Sequence, residues 1–327
     1  MTTATTPAVP LVCITRGVVG QARIPGVEVR VGPAAPGLGR AELLAFVRGA
    51  AAIGTMFDDR VDAQFLDAAG PGLRGVCNYA VGIDNIDLAE CARRGVAVAN
   101  TPDAVTEGTA NIALGLILAV GRRIAEGDRF CRAGGFERKG NAFPTGWCGV
   151  HFTGQTLLIV GAGRIGRAVA MRGQALGMKI EYVARRRHLD FEQAPLAARW
   201  VELDEALPRA DVVSLHTPLT PETRGLIGAA RLRLMKPTAI LINTSRGPVV
   251  DEAALVEALR EQRLYGAGLD VFEAEPRIEP GLLTLDNVVL TPHIGSAETF
   301  WREQMTRMVC ENLRAMATGG TAANLVG

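Results

Sequence analysis

The segment Leu157-Leu-Ile-Val-Gly161-Ala-Gly163-Arg-Ile-Gly166 decides the fold, because a continuous apolar run leads directly into three glycines with the spacing GxGxxG. A lone GxGxxG is a weak signal, but this one opens a predicted helix that ends near Gly177. A second predicted strand, Lys179–Val183, follows that helix. A strand, a glycine turn, a helix and a strand at these distances predict a dinucleotide-binding βαβ unit.

Each glycine of this motif has its own expected role. Gly161 would make the tight turn, Gly163 would let the backbone approach a pyrophosphate, and Gly166 would let the helix pack on the strand. The N–H groups at the start of the helix, at Arg164 and Ile165, would bind the anion. The alternative is a glycine-rich turn that holds no ligand.

The end of the second predicted strand bears on the choice of cofactor. NAD-specific proteins of this fold usually carry Asp or Glu there, about 20 residues after the glycines, to bind the ribose 2′-hydroxyl. This chain has a small residue and three arginines instead, and guanidinium groups offer fork-shaped donors to phosphate oxygens. We therefore predict NADP(H) as the preferred cofactor, with NAD(H) possible, bound at Ala184, Arg185, Arg186 and Arg187. A solvated basic loop, and a register in which Glu181 is the missing acid, are the alternatives.

Short β-rich runs alternate with helical patterns along the whole chain. Most of the runs are continuously apolar, as expected of parallel strands that helices cover on both faces. Alternating βαβ units imply right-handed crossovers, so we predict an α/β protein with doubly wound parallel sheets. The predicted strands are 11–15, 27–31, 51–54, 73–78 and 96–100 in the first half, and 156–160, 179–183, 212–216, 239–245, 268–272 and 288–291 in the second.

Two long predicted helices lie where the two halves could join. Thr101-Pro102-Asp103 is a turn and N-cap signal for the first, which is predicted to run to about Ile124. The second covers about 297–316 and ends the chain. The expected division is a discontinuous substrate-binding domain of residues 1–103 plus 299–327 and an NAD(P)-binding domain of residues 104–298.

Composition excludes several classes of protein. The 327 residues carry 35 basic and 34 acidic side chains, so no charge footprint for nucleic acid or an anionic membrane stands out. The most apolar stretch, Ala110–Val120, is far shorter than the ~20 residues that span a bilayer. Met1–Pro10 lacks the basic and apolar regions of a secretory signal and is interpreted as a frayed leader. The six cysteines have no metal-ligand or redox spacing, so we expect reduced thiols, no metal site and a cytoplasmic location.

Polar residues follow several predicted strands of the second half. Ligands of open parallel sheets bind beyond the carboxyl ends of the strands, which makes these residues candidates for a site. His216 and His293 are the plausible proton carriers among four histidines, although a lone histidine at a strand end is often a satisfied core residue. Arg246, Asp270 and Glu275 follow the strands between them.

Three of these segments closely resemble the signatures of the D-isomer-specific 2-hydroxyacid dehydrogenases. They are NTSRGPVVD at 243–251, GAGLDVFEAEP at 266–276 and LTPHIGS at 290–296, and NYAVGIDNID at 78–87 and LHTPLT at 215–220 fit as well. Within that family the chain is most similar to glyoxylate/hydroxypyruvate reductases, on residues 80–87, the arginines after 184 and the general run of the sequence. The resemblance implies a flavodoxin-like substrate domain and a Rossmann cofactor domain.

The resemblance also implies a role for each matching position. Arg246 corresponds to a clamp on the substrate carboxylate and carbonyl oxygen, His293 to the general acid that protonates this oxygen, and Glu275 to the partner that orients the imidazole. The backbone N–H groups of Val81 and Gly82 would hold the substrate carboxylate. Positions expected to line the cofactor site, besides the glycine motif and the arginines, are Thr109, His216, Thr217, Thr244, Ser245, Arg246, Asp270 and His293.

The implied reaction is reduction of glyoxylate, and of hydroxypyruvate, by NADPH in a homodimer. One alternative is an NAD-linked dehydrogenase of another 2-hydroxy acid such as 3-phosphoglycerate, which would need room or basic residues near Met56, Phe57 and Val81. No such cluster is evident. Another is a nucleotide-sensing binding protein, since corepressors share this fold. Some relatives place a partner tryptophan over the site, a role that Trp147 or Phe300-Trp301 could take.

Overall fold

The chain forms two compact units, and a computed structural model describes them over residues 9–140 and 146–326. The first unit contains the described residues up to Val105 and those from Ser296 onward, and the second is Thr106–Gly295. The leader predicted at Met1–Pro10 lies almost entirely outside the described residues.

Twelve strands are found in the described residues, and ten of the eleven predicted strands lie within two residues of their predicted ends. They are β1 (Leu11–Ile14), β2 (Glu28–Val31), β3 (Ala52–Thr55), β4 (Gly75–Asn78), β5 (Ala97–Ala99), β6 (Thr156–Val160), β7 (Lys179–Val183), β8 (Arg199–Trp200), β9 (Val212–Leu215), β10 (Ile240–Asn243), β11 (Gly266–Leu269) and β12 (Val288–Leu290).

The helices of the described residues fill the connections between these strands. They are α1 (Arg40–Phe46), α2 (Ala63–Ala69), α3 (Leu88–Arg93), α4 (Thr106–Gly121), α5 (Ile124–Arg132), α6 (Gly135–Lys139), α7 (Arg164–Ala175), α8 (Leu189–Glu192), α9 (Leu203–Ala206), α10 (Ala229–Leu232), α11 (Glu252–Arg260) and α12 (Thr299–Ala317), with short 3₁₀ turns at Gly247–Val249 and Leu282–Thr284. Asp62, Asp87 and Asp251 cap α2, α3 and α11 by accepting a backbone N–H three residues on.

The first unit is a five-stranded parallel sheet in the order β2-β1-β3-β4-β5. This is the flavodoxin-like order, which confirms the predicted fold class. The final helix, α12, packs on β3 and β4. There Leu313 approaches Gly54 and Met316 approaches Gly75 so closely that a Cβ on either glycine would crowd them.

The second unit is a seven-stranded parallel sheet in the order β12-β11-β10-β9-β6-β7-β8. Counted from β6, the order places two strands on one side of the first strand and four on the other, which is the Rossmann arrangement. Alternate residues of β6 serve two cores. Leu157 and Ile159 join the core under α4 and α7, whereas Leu158 and Val160 join the core under α9, α10 and α11. Burial on both faces explains why these strands are continuously apolar.

Two predicted elements differ from those observed. The first long helix does not reach Ile124, because α4 ends at Gly121 and Arg123 adopts a left-handed φ of 54°. A Cβ at Gly121 would lie 2.3 Å from the Phe152 ring, so a glycine is needed there. The strand predicted at 268–272 is β11 and begins at Gly266, because Gly266 and Gly268 let this strand lie directly against α4.

One strand was not predicted. Arg199-Trp200 forms β8 with both side chains exposed, so it lacks the apolar pattern that identifies the other strands.

Within the described ranges, no single helix is both long and apolar enough to cross a bilayer. The pair α4 and α5 meets the length and composition together, but it is bent by 64°.

The six cysteines all lie within the described ranges, and none of them is joined to another by a disulfide. Cys13, Cys77, Cys91 and Cys310 are buried, whereas Cys131 and Cys148 are exposed.

Candidate active site

The glycine motif forms the turn between β6 and α7 with the steric demands expected of it. Gly161 has φ of 107°, and a Cβ there would lie 2.6 Å from the carbonyl oxygen of His216. A Cβ at Gly166 would lie 2.2 Å from the carbonyl oxygen of Gly161. Gly163 caps α7 without a side chain, and a Cβ there would meet nothing within 4 Å. The space in front of Gly163 is therefore open at a helix N-terminus, as a pyrophosphate requires.

Unpartnered polar atoms mark the carboxyl ends of β9 and β10. Buried side-chain nitrogen and oxygen atoms without a hydrogen bond number five in the described part of the chain, and His216 Nδ1, Thr217 Oγ1 and Thr244 Oγ1 are three of them. Such atoms cost about 1–3 kcal/mol each when nothing satisfies them. All three were predicted to line a cofactor site, and together with the glycine turn they fit a nicotinamide dinucleotide.

His216 is unsuited to carry a proton. Its Nε2 lies 2.8 Å from Ser214 Oγ, and burial lowers the pKa of the imidazole to about 3. A group with that pKa is neutral across the neutral pH range. Of the two candidate proton carriers, only His293 remains.

The side chains of His293 and Glu275 are in direct contact. Glu275 Oε2 lies 2.8 Å from His293 Nδ1, while Glu275 Oε1 accepts the Phe272 N–H at 2.9 Å. Burial acts to raise the pKa of Glu275, but the hydrogen bond and charge of His293, with a contribution from Arg246, hold it below its usual value. A carboxylate that stays ionised is a hydrogen-bond acceptor that orients the imidazole.

Asp270 holds the loop that carries His293. Its Oδ1 accepts the Thr291 hydroxyl at 2.6 Å and the Ile294 N–H at 2.9 Å, and its Oδ2 accepts the Gly295 N–H at 2.8 Å. Burial raises the pKa of this carboxyl, and the hydrogen bonds partly offset the effect. The contact of Asp270 with the cofactor stays a prediction, and the observed role of its carboxylate is to hold this loop.

Thr109 lies in α4 beside the same loop. A Cβ at Gly295 would lie 3.1 Å from both Thr109 Oγ1 and Asp270 Oδ2, so any larger residue there would crowd these two side chains.

Arg246 follows β10 in a tight turn. Asn243 Oδ1 accepts the Ser245 N–H and hydroxyl, and Asn243 Nδ2 donates to the Arg246 carbonyl at 2.9 Å. The half-buried guanidinium donates to the Ser245 carbonyl at 2.8 Å, and its charge lowers the pKa of Glu275. Because β10, β11 and β12 are neighbours in register, the structure brings Arg246, Glu275 and His293 to one edge of the sheet.

Three residues that support this site were not predicted from the sequence: Asn243, Gly247 and Glu252. A Cβ at Gly247 would lie 1.8 Å from the Phe272 carbonyl carbon, so only a glycine lets the turn of Arg246 pass this close to the loop of Glu275. Glu252 is buried and accepts the Glu273 N–H at 2.7 Å. Asn243 and Gly247 stand within a recognised motif, whereas nothing in the sequence distinguishes Glu252 from an ordinary acid in a first helical turn.

The three arginines after β7 have different surroundings. Arg187 is paired with Glu192, whereas Arg185 and Arg186 are exposed and make no hydrogen bond or ion pair with the described residues. Glu181 lies inside β7 and pairs with Arg199 and Arg209, which removes it as the acid at the strand end. Ala184 takes that place.

The predicted substrate amides lie in the first unit, in the loop after β4. Asn100 Nδ2 donates to the Val81 carbonyl at 2.8 Å, and Asn78 Nδ2 donates to the Gly82 carbonyl at 2.7 Å. The N–H groups of Val81 and Gly82 donate to no acceptor among the described residues. Asn78 and Asn100 thus hold this loop through the carbonyl groups of Gly82 and Val81. The N–H groups of the same two residues stay accessible to hydrogen-bond acceptors.

The two candidate tryptophans pack within their own units. Trp147 lies 5.0 Å from the Phe130 ring and beneath the Arg123 guanidinium. Trp301 stacks edge-on with Phe300 at 4.9 Å. Most of the segment 141–149, in which Trp147 was considered, lies outside the described residues.

A metal centre was not expected. Among residues 9–140 and 146–326, no group of three or more His, Cys, Asp or Glu side chains could hold a metal ion.

Comparisons with known proteins identify the family. Residues 114–295, more than half of the chain, match the NAD binding domain of the D-isomer specific 2-hydroxyacid dehydrogenases. A glyoxylate reductase of Thermococcus onnurineus is 49% identical over 290 residues, which cover 88% of this chain and 86% of that protein.

Solved structures support the same family. The TT0316 protein from Thermus thermophilus has a TM-score of 0.89 at 44% identity, with 97% of this chain and 100% of that chain covered. An NADPH-dependent glyoxylate/hydroxypyruvate reductase from Sinorhizobium meliloti, in complex with NADP and malonate, has a TM-score of 0.85 at 32% identity, with 98% and 97% covered. The chain therefore belongs to the D-isomer specific 2-hydroxyacid dehydrogenase family, is similar to its glyoxylate reductases, and is an NAD(P)-dependent oxidoreductase.

Proposed function

We propose that this chain reduces glyoxylate, and also hydroxypyruvate, to the 2-hydroxy acid with NADPH. The observation that carries the proposal is the His293–Glu275 pair beside Arg246 at the carboxyl ends of β10, β11 and β12. The names of the similar glyoxylate reductases support the choice of substrate.

The three side chains divide the work of reduction. Bound NADPH supplies the hydride. Glu275 engages His293 Nδ1, so the imidazolium would give its proton to the carbonyl oxygen through Nε2. Arg246 would hold the substrate carboxylate with two parallel N–H donors and fix the carbonyl in place. The N–H groups of Val81 and Gly82, in the first unit, are the further proposed ligands of a substrate carboxylate.

The preference for NADPH rests on Ala184, Arg185 and Arg186. No carboxylate stands at the end of β7 to repel a 2′-phosphate, and two exposed guanidinium groups follow directly. A carboxylate about 4 Å from the phosphate would cost up to several kcal/mol at an effective dielectric near 20. The NADP complex of the Sinorhizobium meliloti reductase supports this preference.

We also propose that the second unit binds the cofactor and the first the substrate, and that the protein acts as a cytoplasmic homodimer. The match of residues 114–295 to an NAD binding domain supports the division of the two ligands, and the cysteines without disulfides support the location.

A panel of 2-oxo acids assayed with both cofactors tests the proposal. We expect kcat/KM with NADPH to exceed that with NADH by about tenfold or more, with glyoxylate and hydroxypyruvate ahead of bulky or phosphorylated 2-oxo acids. A preference for NADH, or for 3-phosphohydroxypyruvate, would instead establish a different dehydrogenase of the same family. No turnover with any 2-oxo acid would favour a nucleotide-sensing protein.

A further inference from the structure

The loop Ala184–His188, which we call the arginine loop, is held at both ends by aromatic side chains. Trp200 Nε1 donates to the carbonyl oxygen of Ala184 at 3.0 Å. The backbone N–H of His188 donates to Tyr182 Oη at 2.8 Å. The Tyr182 ring is completely buried in β7 and packs on Phe191 at 4.8 Å between ring centres. The backbone of the arginine loop is therefore fixed to the sheet at its first and last residue.

Glu192 joins this anchor to one of the arginines. Its Oε1 accepts the Tyr182 hydroxyl at 2.6 Å and Arg187 Nε at 2.9 Å, and its Oε2 accepts Arg187 Nη2. The carboxylate is 14% exposed although Arg187 itself is 69% exposed. The hydrogen bonds from Arg187 and then Tyr182 lower the pKa of Glu192 to about 2, so the pair stays charged across the neutral range.

Arg187 consequently differs from its two neighbours. Its fork of donors is already occupied by a carboxylate, and a phosphate could engage the same donors only by breaking that pair. Arg185 and Arg186 make no such pair among the described residues. Two hydrogen bonds lower the pKa of Glu222, and the charge of Arg185 lowers it further, which places Arg185 on the Glu222 side of the loop. Two of the three arginines are available to an anion, and the third is committed to the loop.

We propose that Arg187 is a positioning residue. Together with Glu192 and Tyr182 it braces the arginine loop, so that Arg185 and Arg186 meet the 2′-phosphate of NADP(H) without first having to be ordered. Preorganisation of this kind improves affinity because less conformational freedom is lost on binding. The inference rests on the proposed preference for NADPH and adds which side chains produce it.

Calorimetric titration of the full-length protein tests this assignment without turnover. The probes are adenosine 2′,5′-bisphosphate, which carries the 2′-phosphate, and 5′-AMP, which lacks it. We expect Arg187→Gln and Glu192→Gln each to raise the Kd for the bisphosphate by about fivefold and to leave the Kd for 5′-AMP unchanged. The double variant should bind no more weakly than either single variant, because both changes remove the same brace.

A direct role for Arg187 predicts the opposite pattern. Glu192→Gln would free its guanidinium, so that binding of the bisphosphate would stay the same or tighten while Arg187→Gln weakened it; that result overturns the inference. Additive losses in the double variant also overturn it. Arg186→Gln is the matched control for a direct ligand. Its effect on the Kd for the bisphosphate should add to the effect of Glu192→Gln.

Two further measurements separate the possible failures. Tyr182→Phe removes the hydroxyl from the brace without touching Arg187, and it serves in place of Glu192→Gln if that variant does not fold. It should weaken bisphosphate binding by a similar factor, and unchanged binding counts against the brace. Equal affinity of the wild-type protein for both probes would overturn the NADPH preference itself, whereas a wild-type preference kept in full by every brace variant overturns this inference alone.

Discussion

Glu275 and His293 are the residues on which proton transfer should depend most directly. Glu275 Oε2 lies 2.8 Å from His293 Nδ1, so Glu275→Gln replaces the carboxylate that orients the imidazole. We expect this variant to lower kcat for glyoxylate reduction by about tenfold or more. Initial rates at saturating glyoxylate and NADPH measure the loss.

The matched control for this prediction is His293→Ala. That variant lacks the acid altogether, so kcat should fall by about 100-fold or more. An unchanged kcat in Glu275→Gln would remove the carboxylate from the proton-transfer step.

Single residues also show where sequence reasoning stopped. His216 and His293 both follow predicted strands, and nothing in the residue types distinguishes them. Burial lowers the pKa of His216, whereas the Nδ1 atom of His293 lies 2.8 Å from the Glu275 carboxylate. The family resemblance assigned the proton to His293, and the structure supplied the physical difference between the two histidines, because tertiary contacts set the partner of a side chain.

The glycine turn is the element on which cofactor binding should depend most directly. A Cβ at Gly163 meets nothing within 4 Å, whereas a Cβ at Gly166 meets the Gly161 carbonyl at 2.2 Å. We expect Gly163→Ala to leave the free energy of unfolding within about 0.5 kcal/mol and to raise the Kd for NADPH by about tenfold or more, because the methyl group fills the space of the pyrophosphate.

Gly166→Ala is the matched comparison. It should destabilise the fold by about 1–3 kcal/mol, because backbone atoms must shift to admit the methyl group. Urea unfolding and fluorescence titration measure the two effects separately. Unchanged NADPH binding in Gly163→Ala would mean that no pyrophosphate lies against this turn.

Elements were predicted well where local pattern dictates them and poorly where packing does. Strands β6 and β7 have their predicted bounds, since apolar runs and glycine turns act within a few residues of the chain. The end of α4 depends on Phe152 approaching Gly121, and the start of β11 depends on α4 covering two glycines. Those contacts join segments far apart in sequence, so a local pattern does not reveal them.

The whole molecule consists of one continuous unit and one unit made of two segments. In the unit made of two segments, which is the first unit described above, α12 packs Leu313 and Met316 against the sheet. Arg74 of the same unit donates to the Ala317 carbonyl at 2.7 Å. A chain that ends at Gly295 should therefore lose the cooperative unfolding of the first unit. The fragment 106–295, which keeps both cores of its own sheet, should still unfold cooperatively and bind adenosine 2′,5′-bisphosphate.

Circular dichroism melts and the same calorimetric titration measure these outcomes, with the full-length chain as control. Cooperative unfolding of residues 1–105 by themselves would show that α12 is dispensable to the first sheet.

The amino-acid sequence by itself determined the doubly wound parallel architecture, the dinucleotide turn, and the identity of Arg246, Glu275 and His293. These follow from periodicity, glycine spacing and motifs, which are properties of neighbouring residues. Tertiary structure alone decided that Arg187 pairs with Glu192, that Asp270 serves a loop, and that His216 is neutral. Hydrogen-bond partners and burial arise between distant segments, and these are the quantities that assign a charged side chain its role.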